Sequence, residues 1–343
     1  MPTTPSQAGT PGPQDQPARA RWALVRKILL QLVFVAALCG LVWWVVQHAL
    51  DVLRARGVRS GFDFLLDAAG IPISEGWPSY SPGEPFWRAF LTGVGNTLRA
   101  AVPASILAVM LGLLLGVGRL VPHRLVSGLC AGYINLVRNI PLLLQLLMVS
   151  FAVGSLLPDP IEPLQLLPGV WLSKAGLAMP WPVHGEAGWV LEWPERGNFG
   201  PTGGAALSPE YVAIVAALAL YSAGFVAEIV RAGIQAVPQG QWLAARALGL
   251  KPGQEMRYVV LPQAQRVIVP ALTNQLLSLT KNSSLAVAVG YPELVSVANM
   301  TIGTTGRAFE CIAIVMAVYL LLSLLIAGGM NLYNKRVALR GWA

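Results

Sequence analysis

Six long apolar blocks, parted by shorter stretches that carry most of the charge, set the rhythm of this chain. They run Ile28–Leu50, Phe86–Val117, Tyr133–Leu157, Pro209–Ile229, Val267–Val289 and Cys311–Met330. About 20 apolar residues in helical rise cross roughly 30 Å of hydrocarbon, so each block is long enough to span a bilayer. The pattern predicts an all-α polytopic membrane protein of about six transmembrane helices, with both termini on one side. Residues 1–25 are rich in Pro, Gln, Ala and Gly, a composition that predicts a disordered tail. Residues 26–50 then form a first, uncleaved helix. Its apolar run is too long for a signal peptide and lacks a small-x-small exit, and Leu38 before Cys39 makes a poor lipoprotein site.

Two connections stand apart. Residues 51–85 hold Gly, Pro and aromatics and separate the first helix from the remaining core, residues 86–343. Within that core lies a 51-residue insertion, 158–208, with Trp171, Trp181, Trp189 and Trp193 among many Pro and Gly residues. Those aromatics suit three roles equally: a membrane-interface belt, a small external cap, or a landing surface for a soluble partner. Ser208-Pro209-Glu210 reads as a helix start, with Ser as N-cap, Pro at N1 and an acid in the first turn.

Composition sharpens this. Of 343 residues, 55% are hydrophobic and 12% charged, with mean hydropathy +0.59; the charged share is about half that of a soluble protein. The net charge of +8 is a matter of topology, with no nucleic-acid surface behind it. Arg19, Arg21, Arg26, Lys27, Arg119, Arg124, Arg231, Arg246, Lys251, Arg257, Arg266, Lys335, Arg336 and Arg340 all fall in loops or tails on one side. Segment 158–208 has only Lys174 and Arg196 against Asp159, Glu162, Glu186, Glu192 and Glu195. The positive-inside rule therefore predicts cytoplasmic N- and C-termini, with Arg54, Arg56 and Arg59 running against the trend. Cys39, Cys130 and Cys311 sit in or beside apolar blocks and read as packing residues. His48, His123 and His184 form no metal constellation. No Gly-rich phosphate loop ends in Lys-Ser/Thr and no nucleophile–base arrangement is legible, so catalytic and metal residues are expected to be none.

One inward loop is unusual. In PQGQWLAARALGLKPGQEMRYVVLP (residues 238–262) Pro238 can open a helix, Gly249 can close it in the left-handed conformation, and Pro252 can open another. Ala244 and Ala245 let a partner backbone approach, and Trp242, Leu243 and Leu248 add apolar surface. The competing reading is an amphipathic helix lying on the bilayer, which Arg246, Lys251 and Arg257 also suit. The spacing resembles the EAA loop through which membrane subunits of ABC importers contact their ATPases. That likeness assigns coupling to Gln241, Ala244, Ala245, Gly249 and Pro262. The family's usual Glu is replaced by Leu243.

Polar residues at membrane depth are functional candidates, because each costs several kcal/mol (on the order of 3) without a partner or cavity. Arg138-Asn139-Ile140-Pro141 opens the third block, with Gln145 one turn on. Glu228 ends the fourth, with Arg231 three residues later. Lys281-Asn282-Ser283-Ser284 interrupts the fifth, predicting a broken helix whose freed backbone lines a cavity. Tyr291-Pro292-Glu293 follows. A zwitterionic amino acid needs both cationic and accepting groups, which makes Arg138, Gln145, Glu228, Lys281, Asn282 and Ser284 the candidate substrate-binding residues. The alternative is structural: Glu228 and Lys281 pair with each other or with backbone to hold helices together, a reading that suits Glu228, with Arg231 three residues on, better than Lys281. Arg99 reads as snorkelling to the outer interface, and Pro103 as a kink site.

Further phrases carry a resemblance: GNTLRAAVPASILAVMLGLLLGVGRL (Gly95–Leu120), NLVRNIPLLLQLL (Asn135–Leu147), AEIVRAGIQAVPQGQW (Ala227–Trp242) and SLTKNSSLAVAVGYPELV (Ser278–Val295). These resemble the polar amino-acid branch of ABC transporter permeases, and within it the general L-amino-acid permease subunits. The resemblance implies a five-helix permease core after an extra N-terminal helix, in the bacterial inner membrane. It also implies a homologous second permease subunit, two cytoplasmic ATP-binding subunits that hold the ATP and Mg, and a periplasmic amino-acid-binding protein. No cofactor is expected on this chain. Two rival functions remain: an ion-gradient-driven secondary transporter or channel using Glu228 and Lys281, and a non-transporting membrane scaffold or sensor.

Overall fold

A computed structural model describes residues 16–55, 61–76, 78–185 and 188–339. Residues 1–15, most of the expected tail, and Arg56, Arg59, Glu186 and Arg340 lie outside the described residues. The chain divides into two units, Met1–Gly61 and Phe62–Ala343. The first is one helix, α1 (Gln16–Ala55). It begins inside the segment expected to be disordered, where Ala and Arg are strong helix formers. Between Arg26 and His48 its residues are exposed on nearly every face, the pattern of a helix whose solvent is lipid.

In the second unit, α2 (Phe86–Gly118) and α5 (Pro209–Gln235) form the central pair. Ala100, Ala104, Ala108, Gly112 and Gly116 recur at every fourth position of α2 and are all buried. Lipid offers helices little hydrophobic reason to associate, so close backbone approach and dispersion must do it, and small residues permit that approach. A Cβ at Gly112 would lie 2.5 Å from the side chain of Val226 on α5. The α2 helix runs unbroken through Pro103.

The third apolar block is not one straight span. α3 (Arg124–Asn139) and α4 (Leu142–Leu156) meet at a bend of 107°. Ile140 precedes Pro141, whose ring disfavours the helical region for its predecessor, and Ile140 is extended at φ −98°, ψ 131°. Gln145 ties the bend: its amide Nε2 donates to the carbonyls of Val137 (2.7 Å) and Ile140 (2.9 Å).

Insertion 158–208 departs from an all-α fold. Strands β1 (Leu164–Leu167), β2 (Val170–Ser173), β3 (Gly176–Met179), β4 (Trp181–Gly185), β5 (Gly188–Glu192), β6 (Glu195–Gly197), β7 (Gly200–Thr202) and β8 (Ala205–Leu207) build three small antiparallel sheets. The largest has order β1-β2-β3-β8. β8 passes directly into α5, where Ser208 Oγ accepts from Tyr211 N at 3.0 Å and Pro209 occupies the first turn. The segment is thus a small folded β unit.

After α5 come α6 (Gln239–Ala247), α7 (Pro252–Gln254), a π-helical turn Glu255–Val260 and α8 (Leu261–Asn282). At the Lys281 cluster α8 tightens into a 3-10 segment, Ser283–Val289, which ends at Gly290 with φ 83°. α9 (Leu294–Thr305) leaves at 51° and α10 (Ala308–Leu339) closes the chain. Among the described residues four helices (within α1, α2, α5 and α10) can cross a membrane unaided. The total reaches six only if each bent pair counts as one span.

The connection after the first unit is packed into the core. Phe64, in a 3-10 turn Asp63–Leu66, is buried with Phe86, Leu294 and Cys311. Arg307, in the α9–α10 turn, forms an ion pair with Asp63, which holds the Asp63 carboxyl below the usual carboxylate range. Arg99, expected to snorkel, instead pairs with Glu75 at 3.1 Å and lies 4.9 Å over the Tyr211 ring. Glu75 also accepts from Ser208, while Asn96 Nδ2 donates to the carbonyls of Glu75 and Pro292 at 2.9 and 2.8 Å.

Candidate functional site

The loop at 238–262 forms the helix–turn–helix that its prolines and glycine imply. Pro238 flanks α6, and Gly249 takes φ 77°. Its N–H donates to the Arg246 carbonyl and that of Leu250 to the Ala245 carbonyl, satisfying the helix end. Pro252 occupies the first turn of α7, and Gln254 Oε1 accepts from Lys251 N at 3.0 Å. Ala245 is buried, whereas Gln241 and Ala244 are exposed and Gln263 Nε2 donates to Gln241 Oε1 at 3.2 Å. Leu243 and Leu248 are 64% and 81% exposed. Pro262 starts α8 and is exposed.

One residue of this loop escaped the sequence analysis. Glu255 is buried at 3% exposure, and both its carboxylate oxygens accept from Arg246 Nε at 3.3 Å. This pair clasps α6 to the π-helical turn. Only the acid at the third position after Lys251-Pro252 hinted at it, and nothing in the sequence named its partner.

The six candidate substrate residues separate into two cavities and one hinge. Lys281 and Ser284 line a cavity of about 480 Å³ with Val295, Met316, Tyr319 and Ser323. Ser284 Oγ donates to the Lys281 carbonyl at 2.8 Å, and Asn282 beside them is half-buried. Among the described residues Lys281 makes no ion pair, so the expected Lys281–Glu228 alternative is not the arrangement adopted. Behind the cavity wall, fully buried Glu293 caps α9. It accepts from Val295 N and Ser296 N, both at 2.9 Å, and from Tyr319 Oη at 3.2 Å.

Arg138 and Glu228 line a second cavity, of about 240 Å³, with Phe225 and Gln275. Glu228 is saturated by two guanidinium groups, Arg119 at 2.6 Å and Arg231. The Arg231 partner was legible at i+3, but Arg119 lies 109 positions away and was not. Gln275 and Lys281 are six residues apart on α8, about 240° around the axis and about 9 Å along it, so the two cavities open on different faces. Gln145 belongs to neither cavity and holds the α3–α4 bend.

The family model for binding-protein-dependent transport system inner membrane components matches residues 108–339. The chain belongs to that family. The permease is 37% identical to the putative amino-acid ABC transporter permease protein YhdX of Escherichia coli K12, over 92% of this chain and 95% of that one. It is 36% identical to the general L-amino acid transport system permease protein AapQ of Rhizobium johnstonii, over 92% of each. Among solved structures, the crystal structure of an amino acid ABC transporter with histidines superposes with TM-score 0.55 at 28% identity, covering 73% of this permease and 95% of that chain. The permease is therefore an inner-membrane transport component.

Proposed function

We propose that this chain is the transmembrane permease subunit of an ATP-driven importer that moves L-amino acids across the bacterial inner membrane. The observation that carries the reading is loop 238–262. It is a short helix, left-handed turn and second helix clasped by Arg246–Glu255, with Leu243 and Leu248 presented outward where a docking partner would cover them. The amino-acid relatives supply the substrate class. ATP and Mg belong to two separate ATP-binding subunits, a homologous permease completes the membrane pair, and a periplasmic amino-acid-binding protein delivers substrate near cap 158–208. The termini are cytoplasmic by the distribution of Arg and Lys.

Alternating access then works through differential contacts, because a ligand or motor that touched both states equally would shift neither. Closure of the ATPases pushes α6, and α6 moves the α7–α8 limb to which Arg246–Glu255 joins it. Movement of α8 reshapes the 3-10 break that carries Lys281 and Ser284. Lys281, unpaired in its cavity, suits a substrate carboxylate, and Asn282 and Ser284 suit its polar groups.

Reconstitution in proteoliposomes with the neighbouring ATPase and binding protein tests the reading. ATP-dependent uptake is expected, with none from a proton gradient alone. Uptake by this chain without an ATPase, driven by a proton gradient, would overturn it in favour of a secondary transporter.

A further inference from the structure

The Arg138–Glu228 cavity has a guanidinium on its wall that its own carboxylate does not pair. Three guanidinium groups, those of Arg119, Arg138 and Arg231, surround a single carboxylate, Glu228, and two of them already occupy it. Arg138 lies 5.2 Å over the Phe225 ring and makes no ion pair among the described residues. Across the same cavity Gln275 makes no hydrogen bond among the described residues. The rest of the lining is apolar and regular. Phe225, Ile229 and Ala232 fall on one face of α5, and Val267 and Ala271 precede Gln275 at four-residue steps along one face of α8. The α3 C-terminus favours a cation at position 138, but it does not explain a carboxamide left without partners opposite that cation. An unpaired guanidinium beside an apolar groove in the membrane region calls for a counter-ion.

We propose that Arg138 and Gln275 form an oxyanion site, separate from the Lys281 cavity. Arg138 takes two oxygens through its planar fork, and Gln275 donates to one of them. Both an amino-acid carboxylate and a phospholipid phosphate offer that chemistry. The groove continues along α5 and α8 toward Pro238, since Val267 also lines the next cavity, with Gly233, Pro238 and Gln263. An occupant therefore sits at the root of the α6 limb. The proposal rests on the importer reading for its biological sense only; the ligand chemistry stands on the cavity.

The test uses the full chain in nanodiscs. One arm titrates L-glutamate into zwitterionic phosphatidylcholine discs by calorimetry. The other counts retained phosphatidylglycerol by native mass spectrometry after reconstitution in mixed lipid. Binding in the first arm identifies a carboxylate site, and selective retention in the second a phosphate site. In whichever arm binds, Gln275→Leu weakens it about tenfold, the loss of one charge-assisted hydrogen bond, and Arg138→Met, which removes two, weakens it further. Arg138→Lys recovers part of it. Neither arm needs ATP, so a failure of ATP-driven uptake leaves this result readable. Binding in neither arm, or binding indifferent to both Arg138→Met and Gln275→Leu with the variants folded, overturns the proposal.

Discussion

Arg246 Nε lies 3.3 Å from both carboxylate oxygens of Glu255, the Arg side chain 63% exposed and the Glu 4% exposed. A half-wet pair of this kind contributes about 1 kcal/mol, enough to decide whether α6 and the α7–α8 limb move as one body. Glu255→Gln keeps the volume and removes the charge. Uptake is expected to fall several-fold while the complex still assembles and basal ATP hydrolysis persists, measured side by side in proteoliposomes. Equal loss of both activities would make the pair a folding contact only.

Gly249 holds φ 77° with open space where a Cβ would stand. The obstacle to a side chain there is therefore conformational and not a clash with neighbours. A β-branched residue in the left-handed region costs about 1–2 kcal/mol. Gly249→Val should uncouple transport from hydrolysis, and unchanged uptake would mark the turn as ordinary.

Lys281→Met tests the larger cavity. Substrate-stimulated ATPase activity should drop about tenfold, as loss of a charge-assisted contact to a carboxylate would give, with normal recovery of the complex on size-exclusion chromatography. If the complex fails to form, Lys281 is a structural residue.

Gln145→Leu leaves the carbonyls of Val137 and Ile140 without their side-chain donor at the α3–α4 bend. Buried acceptors stripped of a partner cost about 1–3 kcal/mol. The detergent-solubilised variant should melt several degrees lower, and an unchanged Tm would show that the bend holds itself.

Asp63 and Arg307 offer a test by pH. The Arg307 guanidinium holds the Asp63 carboxyl below its ordinary value, so the folded form binds a proton more weakly than the unfolded chain. The pair therefore stabilises the fold above the unfolded carboxyl pKa of about 4, and that stabilisation fades as pH falls through the lower folded value. Asp63→Asn should lower Tm at pH 7 and match the wild type in strong acid. A Tm difference that does not change with pH would exclude the ion pair as its cause.

The apolar blocks announced the membrane helices because lipid imposes one rule on every residue of a span, and a rule of that kind is visible residue by residue. Local chemistry was equally legible. Pro238, Gly249 and Pro252 wrote the helix–turn–helix of segment 238–262, and Ser208-Pro209-Glu210 wrote the start of α5, since caps and left-handed turns involve only neighbours within a few positions. The bend before Pro141 was written there too, yet composition alone merged α3 and α4 into one span. Hairpins in segment 158–208 were hidden because short strands leave only a weak apolar signal among so many prolines and glycines.

The sequence by itself determined that this is a membrane permease with a helix–turn–helix at 238–262, and which side-chain chemistries interrupt its apolar blocks. Tertiary structure alone decided how those chemistries combine. Arg119 meets Glu228 across 109 positions, Glu75 reaches Arg99 and Ser208, and α8 keeps the two cavities apart by presenting Lys281 and Gln275 on different faces. Charge partners are set by distance in space, and a single sequence records only distance along the chain.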